Sequence, residues 1–181
     1  MAAFAGFAEK EIGLDEATIF ARVGGSGPPL LLLHGYPQSH LMWARVAEAL
    51  RDRFTLVVPD LRGYGRSSAP PSQRGEGYSK RVMAKDMLAV MAALGHERFC
   101  VAGHDRGGRV AYRLALDHPD RVSKIAVLDI APTWEMWERM DAARAMAVYH
   151  WMFLAQPEPL PETLISAAPQ VYLDHTLASW T

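Results

Sequence analysis

A glycine-flanked turn between an apolar run and a predicted helix constrains this chain more than any other feature. Residues 99–102 (Phe-Cys-Val-Ala) predict a buried strand, and residues 103–108 (Gly-His-Asp-Arg-Gly-Gly) follow it directly. Glycines on both sides of Asp105 let the backbone turn sharply into a helix, which we expect to begin near Gly107. The carboxylate of Asp105 is therefore predicted to stand at the apex of a strand–turn–helix unit.

A carboxylate at such an apex indicates a particular chemistry. Aspartate is ionised near neutral pH, so it needs no base to act as a nucleophile. Its attack on a saturated carbon gives an alkyl ester, which water can cleave at the aspartyl carbonyl. A serine in the same place would leave an ether with no easy route back. The motif therefore indicates displacement at a saturated carbon rather than ordinary acyl transfer.

The composition excludes several classes of protein. With 181 residues, 50% of them hydrophobic, the chain is long enough for one sizeable core. Its 19 basic and 20 acidic residues predict no nucleic-acid or membrane partner. The single cysteine, Cys100, excludes a disulfide framework and suits a reducing compartment. Residues 1–14 lack the pattern of a signal peptide, and the longest apolar run is too short to span a membrane. We therefore expect a cytoplasmic protein.

Predicted strands and helices alternate along the first two thirds of the chain. Such alternation predicts an α/β fold, a mostly parallel sheet with helices on both faces. The first two strands are expected to be joined tightly, and four residues follow predicted strands at the ends where such sheets bind ligands: His34, Asp60, Asp105 and Asp129. The predicted strands are 18–23, 30–33, 54–58, 99–102 and 125–128, and the predicted helices are about 39–51, 79–95 and 107–118, with a long loop over 60–79.

The character of the sequence changes after Pro132. Tryptophan, methionine and other aromatic residues recur at helical spacing up to a proline-rich stretch at 156–161. This segment predicts a helical lid. We therefore expect residues 1–131 to form the core and residues 132–181 to begin the lid.

Three sequence blocks carry a family resemblance: 34–38 (His-Gly-Tyr-Pro-Gln), 102–109 (Ala-Gly-His-Asp-Arg-Gly-Gly-Arg) and 149–157 (Tyr-His-Trp-Met-Phe-Leu-Ala-Gln-Pro). From Ile19 onward the chain resembles the fluoroacetate and haloacetate dehalogenases of the α/β-hydrolase superfamily, in which aspartate replaces the serine of the G-x-S-x-G turn. The resemblance implies the α/β-hydrolase fold with a lid, hydrolysis of the carbon–halogen bond of a short 2-haloacid, a homodimer, and no metal or organic cofactor.

The resemblance also assigns the charged site residues. It implies that Asp105 is the nucleophile, that Asp129 orients the catalytic base, and that Arg106 and Arg109 bind the substrate carboxylate. Arginines in the first turn of a helix oppose its macrodipole, whereas an anion held there gains from the dipole and from both guanidinium groups. The alternatives are that Asp105 only caps the helix, that Asp129 is a turn or capping residue ahead of Pro132, and that Arg109 pairs with a surface acid.

The remaining assignments concern backbone donors and the lid. The resemblance implies that the N–H groups of Tyr36 and Arg106 form the oxyanion hole, and that the His150 and Trp151 rings bind the halide. Without the resemblance, His150 and Trp151 would be interpreted as core residues of the lid. His34 is expected to be structural.

The base of the family is a histidine in a C-terminal loop, and none of the seven histidines present falls at its position. We therefore expect the chain to be a truncated form whose base lies beyond Thr181.

Two other functions stay open. An epoxide hydrolase shares the aspartate turn but usually has tryptophan after it, where this chain has Arg106. An inactive hydrolase-like fragment used for binding is the non-enzymatic alternative.

Overall fold

The computed structural model describes residues 3–178 and 180, and it divides the chain into two compact units. The first unit is Met1–Ile130 and the second is Ala131–Thr181. The sequence analysis expects residues 1–131 to form the core and residues 132–181 to begin the lid, and the assignment of the two parts as core and lid stays a prediction.

A six-stranded sheet forms the centre of the first unit as described, with the strand order β1-β2-β4-β3-β5-β6. Neighbouring strands from β4 to β6 are parallel, whereas β1 and β2 run antiparallel to their neighbours. The prediction of a mostly parallel sheet is therefore confirmed. The strands are β1 Ala8–Gly13, β2 Thr18–Gly25, β3 Pro29–Leu33, β4 Thr55–Pro59, β5 Phe99–His104 and β6 Val122–Leu128.

Both faces of the central strands are covered by apolar side chains. Leu31 and Leu33 belong to one hydrophobic cluster, while Leu30 and Leu32 of the same strand belong to a second one. Because side chains alternate along a strand, these two sets point to opposite faces of the sheet. The sheet is therefore a buried layer between helices, as in other α/β folds.

Three α-helices cover the sheet: α1 Ala44–Leu50, α2 Lys80–Ala93 and α3 Arg106–Asp117. The helices α2 and α3 contribute to the first cluster, and α1 contributes to the second. The Ser79 hydroxyl accepts the Val82 N–H at the start of α2, so Ser79 caps this helix. The predicted single helix over 39–51 was wrong in detail, because its first turn is a 3-10 helix, His40–Trp43.

Two features of the sheet differ from the sequence predictions. The edge strand β1 was not predicted. The strands β2 and β3 are joined by the expected short turn, but they are not neighbours, because β4 lies between them and pairs with both. At the opposite edge of the described sheet, the apolar side chains of Ile125 and Val127 on β6 are exposed.

Buried charged side chains anchor the loop after β4. Arg62 of this loop is 3% exposed, and its guanidinium group donates two hydrogen bonds, of 2.5 and 2.6 Å, to the carboxylate of Asp86 on α2. Asp60, which is fully buried, accepts hydrogen bonds from the backbone N–H groups of His40 and Arg66. The predicted long loop also contains a short 3-10 helix, Gln73–Tyr78. This loop therefore has a structural role within the first unit.

The second unit is helical in its described residues. None of the described helices is long and apolar enough to cross a membrane. The helices are α4 Thr133–Glu138, α5 Ala142–Ala147, α6 Tyr149–Leu154, α7 Leu160–Ala167 and α8 Pro169–Ala178.

Candidate active site

The candidate site is built around the turn from β5 into α3. Asp105 occupies this turn with φ 44° and ψ −114°, a backbone conformation that is costly for a residue with a Cβ. A Cβ on Gly107 would collide with the carbonyl oxygens of Leu33 and His34, so only glycine permits this close approach. The Asp105 N–H donates to the Leu128 carbonyl at 3.2 Å, which ties the turn to the end of β6.

The carboxylate of Asp105 does not cap α3. It makes no hydrogen bond to the first-turn N–H groups of that helix in the described structure. Instead, Oδ2 accepts the backbone N–H of Tyr36 at 2.8 Å. A Cβ on Gly35 would come within 2.8 Å of the Asp105 Cβ, so a larger residue at position 35 would push the two loops apart. One oxygen of the Asp105 carboxylate, Oδ2, is therefore held by a backbone N–H group.

Two of the three arginines of α3, Arg106 and Arg109, lie in its first turn. The Arg106 guanidinium carbon is 5.6 Å from the centre of the Tyr36 ring and 5.9 Å from that of Tyr64, within the range of cation–π contacts. Arg109 is only 6% exposed, which makes it a buried cation rather than a surface residue paired in solvent. The buried Arg109 and the half-buried Arg106 place two cations close to the Asp105 carboxylate, an arrangement suited to an anion.

Lys80, a third cation of this site, was missed in the sequence analysis. It is the first residue of α2 and is partly buried. Burial, together with the charges of Arg106 and Arg109, lowers the pKa of the Lys80 ammonium to about 8, and the Asp105 carboxylate opposes this shift. No local pattern marked Lys80, because its relation to α3 arises only when α2 and α3 pack together.

Asp129 follows β6 at the same end of the sheet as Asp105. Its φ of 53° lies in the left-handed region, and its side chain is 89% exposed. The helix α4 begins with Pro132 as its cap residue, so Asp129 does not cap it. Asp129 Oδ2 lies 3.7 Å from Nε2 of His104. The structure therefore brings together Asp105, Asp129 and a histidine that the sequence analysis had set aside.

His34 cannot act as the base in this arrangement. It is fully buried, and its Nδ1–H donates to the Gly35 carbonyl at 2.8 Å. Its Nε2 accepts the Leu61 N–H at 3.0 Å, so both ring nitrogens are occupied by the backbone. Burial lowers the pKa of His34, which favours this neutral form. The structural role predicted for His34 agrees with these contacts.

The predicted halide donors lie in the second unit, on α6. His150 is 8% exposed, and its ring packs edge-on against Trp180 at 5.3 Å. The Trp151 ring contacts Trp137 at 5.7 Å. These contacts describe the unit itself, and the halide role of both residues stays a prediction.

A family model of the alpha/beta hydrolase fold matches residues 28–180. The chain belongs to the alpha/beta hydrolase family. Its strained turn from β5 into α3 has the strand–turn–helix form of the nucleophile elbow of that fold. Among residues 3–178 and 180, no group of three or more His, Cys, Asp or Glu side chains is placed to hold a metal ion.

Individual relatives include two enzyme classes. This alpha/beta hydrolase is 51% identical over 178 residues to a fluoroacetate dehalogenase from Burkholderia sp, covering 98% of this chain and 59% of that protein. It is 37% identical over 156 residues to a soluble epoxide hydrolase from Corynebacterium sp. (strain C12), covering 86% of this chain and 53% of the relative. A crystal structure of an alpha/beta hydrolase from Nostoc sp PCC 7120 matches with a TM-score of 0.95 and 55% identity, covering 98% of this chain and 61% of that one. The chain thus spans between half and two thirds of the length of these proteins.

Proposed function

We propose that the full-length protein hydrolyses the carbon–halogen bond of short 2-haloacids such as haloacetate through an ester on Asp105. One observation carries the proposal: an ionisable carboxylate at a strained elbow shares its surroundings with the cations Arg106, Arg109 and Lys80. A substrate that suits this site has a carboxylate of its own and an electrophilic saturated carbon. The identity of 51% with a fluoroacetate dehalogenase supports the same substrate class.

The first step is displacement at carbon. Because Oδ2 of Asp105 accepts the Tyr36 N–H, the other oxygen, Oδ1, is the atom that attacks. Its electron pair forms the new C–O bond while the carbon–halogen bond breaks and its electrons leave with the halide. Arg106 and Arg109 hold the substrate carboxylate during this step, and Oδ2 becomes the carbonyl oxygen of the ester.

The second step is hydrolysis of the ester. Water attacks Cγ of Asp105, and the negative charge that develops on Oδ2 already faces the Tyr36 N–H. A general base takes the proton of the water, and gives it to the departing alkoxide oxygen when the C–O bond of the tetrahedral intermediate breaks, which releases the 2-hydroxy acid. The Asp105 carboxylic acid then loses its proton to solvent. On the family resemblance the base is a histidine, which Asp129 orients.

Epoxide hydrolysis is the second candidate, because a soluble epoxide hydrolase is 37% identical to this chain. An epoxide carries no negative charge, so it gives the arginines and Lys80 nothing to bind. The cationic surroundings of Asp105 therefore favour the haloacid.

The test is to compare chloroacetate, fluoroacetate and styrene oxide as substrates of the full-length protein. We expect release of halide and glycolate from at least one haloacid, and loss of this activity in Asp105→Asn. Asp15→Asn removes an exposed carboxylate from the loop between β1 and β2 and is the matched control that should keep the activity. Formation of a diol from the epoxide without halide release from either haloacid would overturn the assignment.

Three further expectations accompany this proposal. The protein is proposed to act in the cytoplasm, to need no cofactor and to form a homodimer. Size-exclusion chromatography with light scattering would decide its oligomeric state.

A further inference from the structure

His104 lies where three loops meet at the carboxyl end of the sheet. It is the last residue of β5 and directly precedes Asp105. Its Nδ1 is 3.2 Å from Oε1 of Gln38, which follows β3, and its Nε2 is 3.7 Å from Oδ2 of Asp129, which follows β6. The imidazole therefore spans the ends of three neighbouring strands, beside the elbow.

Each ring nitrogen of His104 faces an oxygen acceptor. Nδ1 faces Oε1 of Gln38, and Nε2 faces Oδ2 of Asp129. The distance of 3.7 Å from Nε2 to Oδ2 is longer than a hydrogen bond, and a small rotation of the exposed Asp129 side chain brings the two atoms into hydrogen-bond range.

Asp129 lies on the loop after β6 with a positive φ, and in this chain its side chain is 89% exposed. An exposed carboxylate on a loop samples several rotamers unless a neighbour holds one of them. Since Oδ2 faces His104, Oδ1 is the oxygen that can orient a second imidazole.

We propose that His104 is a positioning residue that holds the Asp129 carboxylate at the strand ends, and so promotes hydrolysis of the Asp105 ester rather than its formation. This inference rests on the proposed two-step function. His104 acts only through Asp129, whereas displacement of the halide depends on Asp105 and the arginines.

Two substitutions separate this role from simple packing. In His104→Gln the side-chain amide nitrogen reaches the place of Nε2, so an N–H group still faces the Asp129 carboxylate. In His104→Asn the amide reaches only the place of Nδ1, so the contact with Gln38 remains and the contact with Asp129 is lost. The site is partly exposed, so both polar replacements fit.

The experiment uses the full-length protein with chloroacetate and rapid quenching, followed by intact-protein mass spectrometry. We expect His104→Asn to lower kcat about tenfold, with the Asp105 ester accumulating and the first turnover of halide release unchanged. We expect His104→Gln to stay within about threefold of the wild-type protein, since one donor to Asp129 is preserved.

Each other outcome overturns a distinct claim. Equal effects of the two variants, a larger effect of His104→Gln, or a slower first turnover would show that His104 does not act through Asp129. If the wild-type protein releases no halide and no variant carries an ester, the proposed function itself fails, and this inference fails with it.

Discussion

Replacement of Lys80 by methionine tests whether Lys80 lies close to Arg106 and Arg109, and the test needs no enzymatic activity. Burial, together with Arg106 and Arg109, lowers the pKa of Lys80 from 10.5 to about 8. Methionine keeps an apolar stem of similar length and removes the charge. The variant should therefore lose a pH dependence of stability that the wild-type protein has.

The size and the sign of this effect follow from the shift. At about 1.4 kcal/mol per pKa unit, the lowered pKa corresponds to ~3 kcal/mol against the charged form in the folded state. Between pH 8 and 10.5 the folded state binds fewer protons than the unfolded state, so the free energy of unfolding rises with pH in this window. The penalty is fully present below pH 8.

Urea unfolding at about pH 7 and about pH 9.5 measures this difference. We expect the free energy of unfolding of the wild-type protein to gain about 2 kcal/mol relative to Lys80→Met over that interval. Lys85→Met, which removes an exposed lysine further along α2, is the matched control and should follow the wild-type protein. Parallel pH profiles for the wild-type protein and Lys80→Met would show that Lys80 is not held among the site cations.

Two further predictions concern the substrate and the isolated chain. Arg109→Leu should raise the KM for haloacetate at least tenfold, because a charge-assisted contact is worth about 1.5–3 kcal/mol, while neutral haloacetamide is affected far less. Arg113→Leu, which removes one of the two arginine partners of Asp117, is the control. Equal losses on both substrates would mean that Arg109 supports the helix. The 181-residue chain incubated with chloroacetate should retain one carboxymethyl ester on Asp105 without turnover, and repeated turnover measured as halide per chain would contradict this.

Much of the sheet and the elbow could be predicted because their signals are local. The apolar run before Gly103 marks β5, and Asp105 between glycines marks the turn. The edge strand β1 was missed because charged residues such as Glu9 and Lys10 break its apolar pattern. It pairs with β2 alone, and its side chains are largely exposed. The insertion of β4 between β2 and β3 is a long-range pairing that no short segment encodes.

Lys80 and His104 could not be predicted from the sequence for the same reason. Lys80 and His104 belong to the site through contacts between elements that are distant in sequence. Gln38 and His104 are separated by 66 residues, and their contact exists only when β3 and β5 lie side by side. The residues proposed from sequence, such as Asp105 and Arg106, are those whose positions follow from one strand–turn–helix unit.

The central claim is that Asp105 itself forms the ester, and a single turnover in water enriched in oxygen-18 tests it directly. With the full-length protein in excess over chloroacetate, water attacks Cγ of Asp105, and the glycolate keeps the oxygen that Asp105 supplied. The account predicts oxygen-18 in the peptide that contains Asp105 and none in the first glycolate formed. Oxygen-18 in that glycolate, with an unlabelled Asp105, would mean that water displaces the halide directly and would contradict the account.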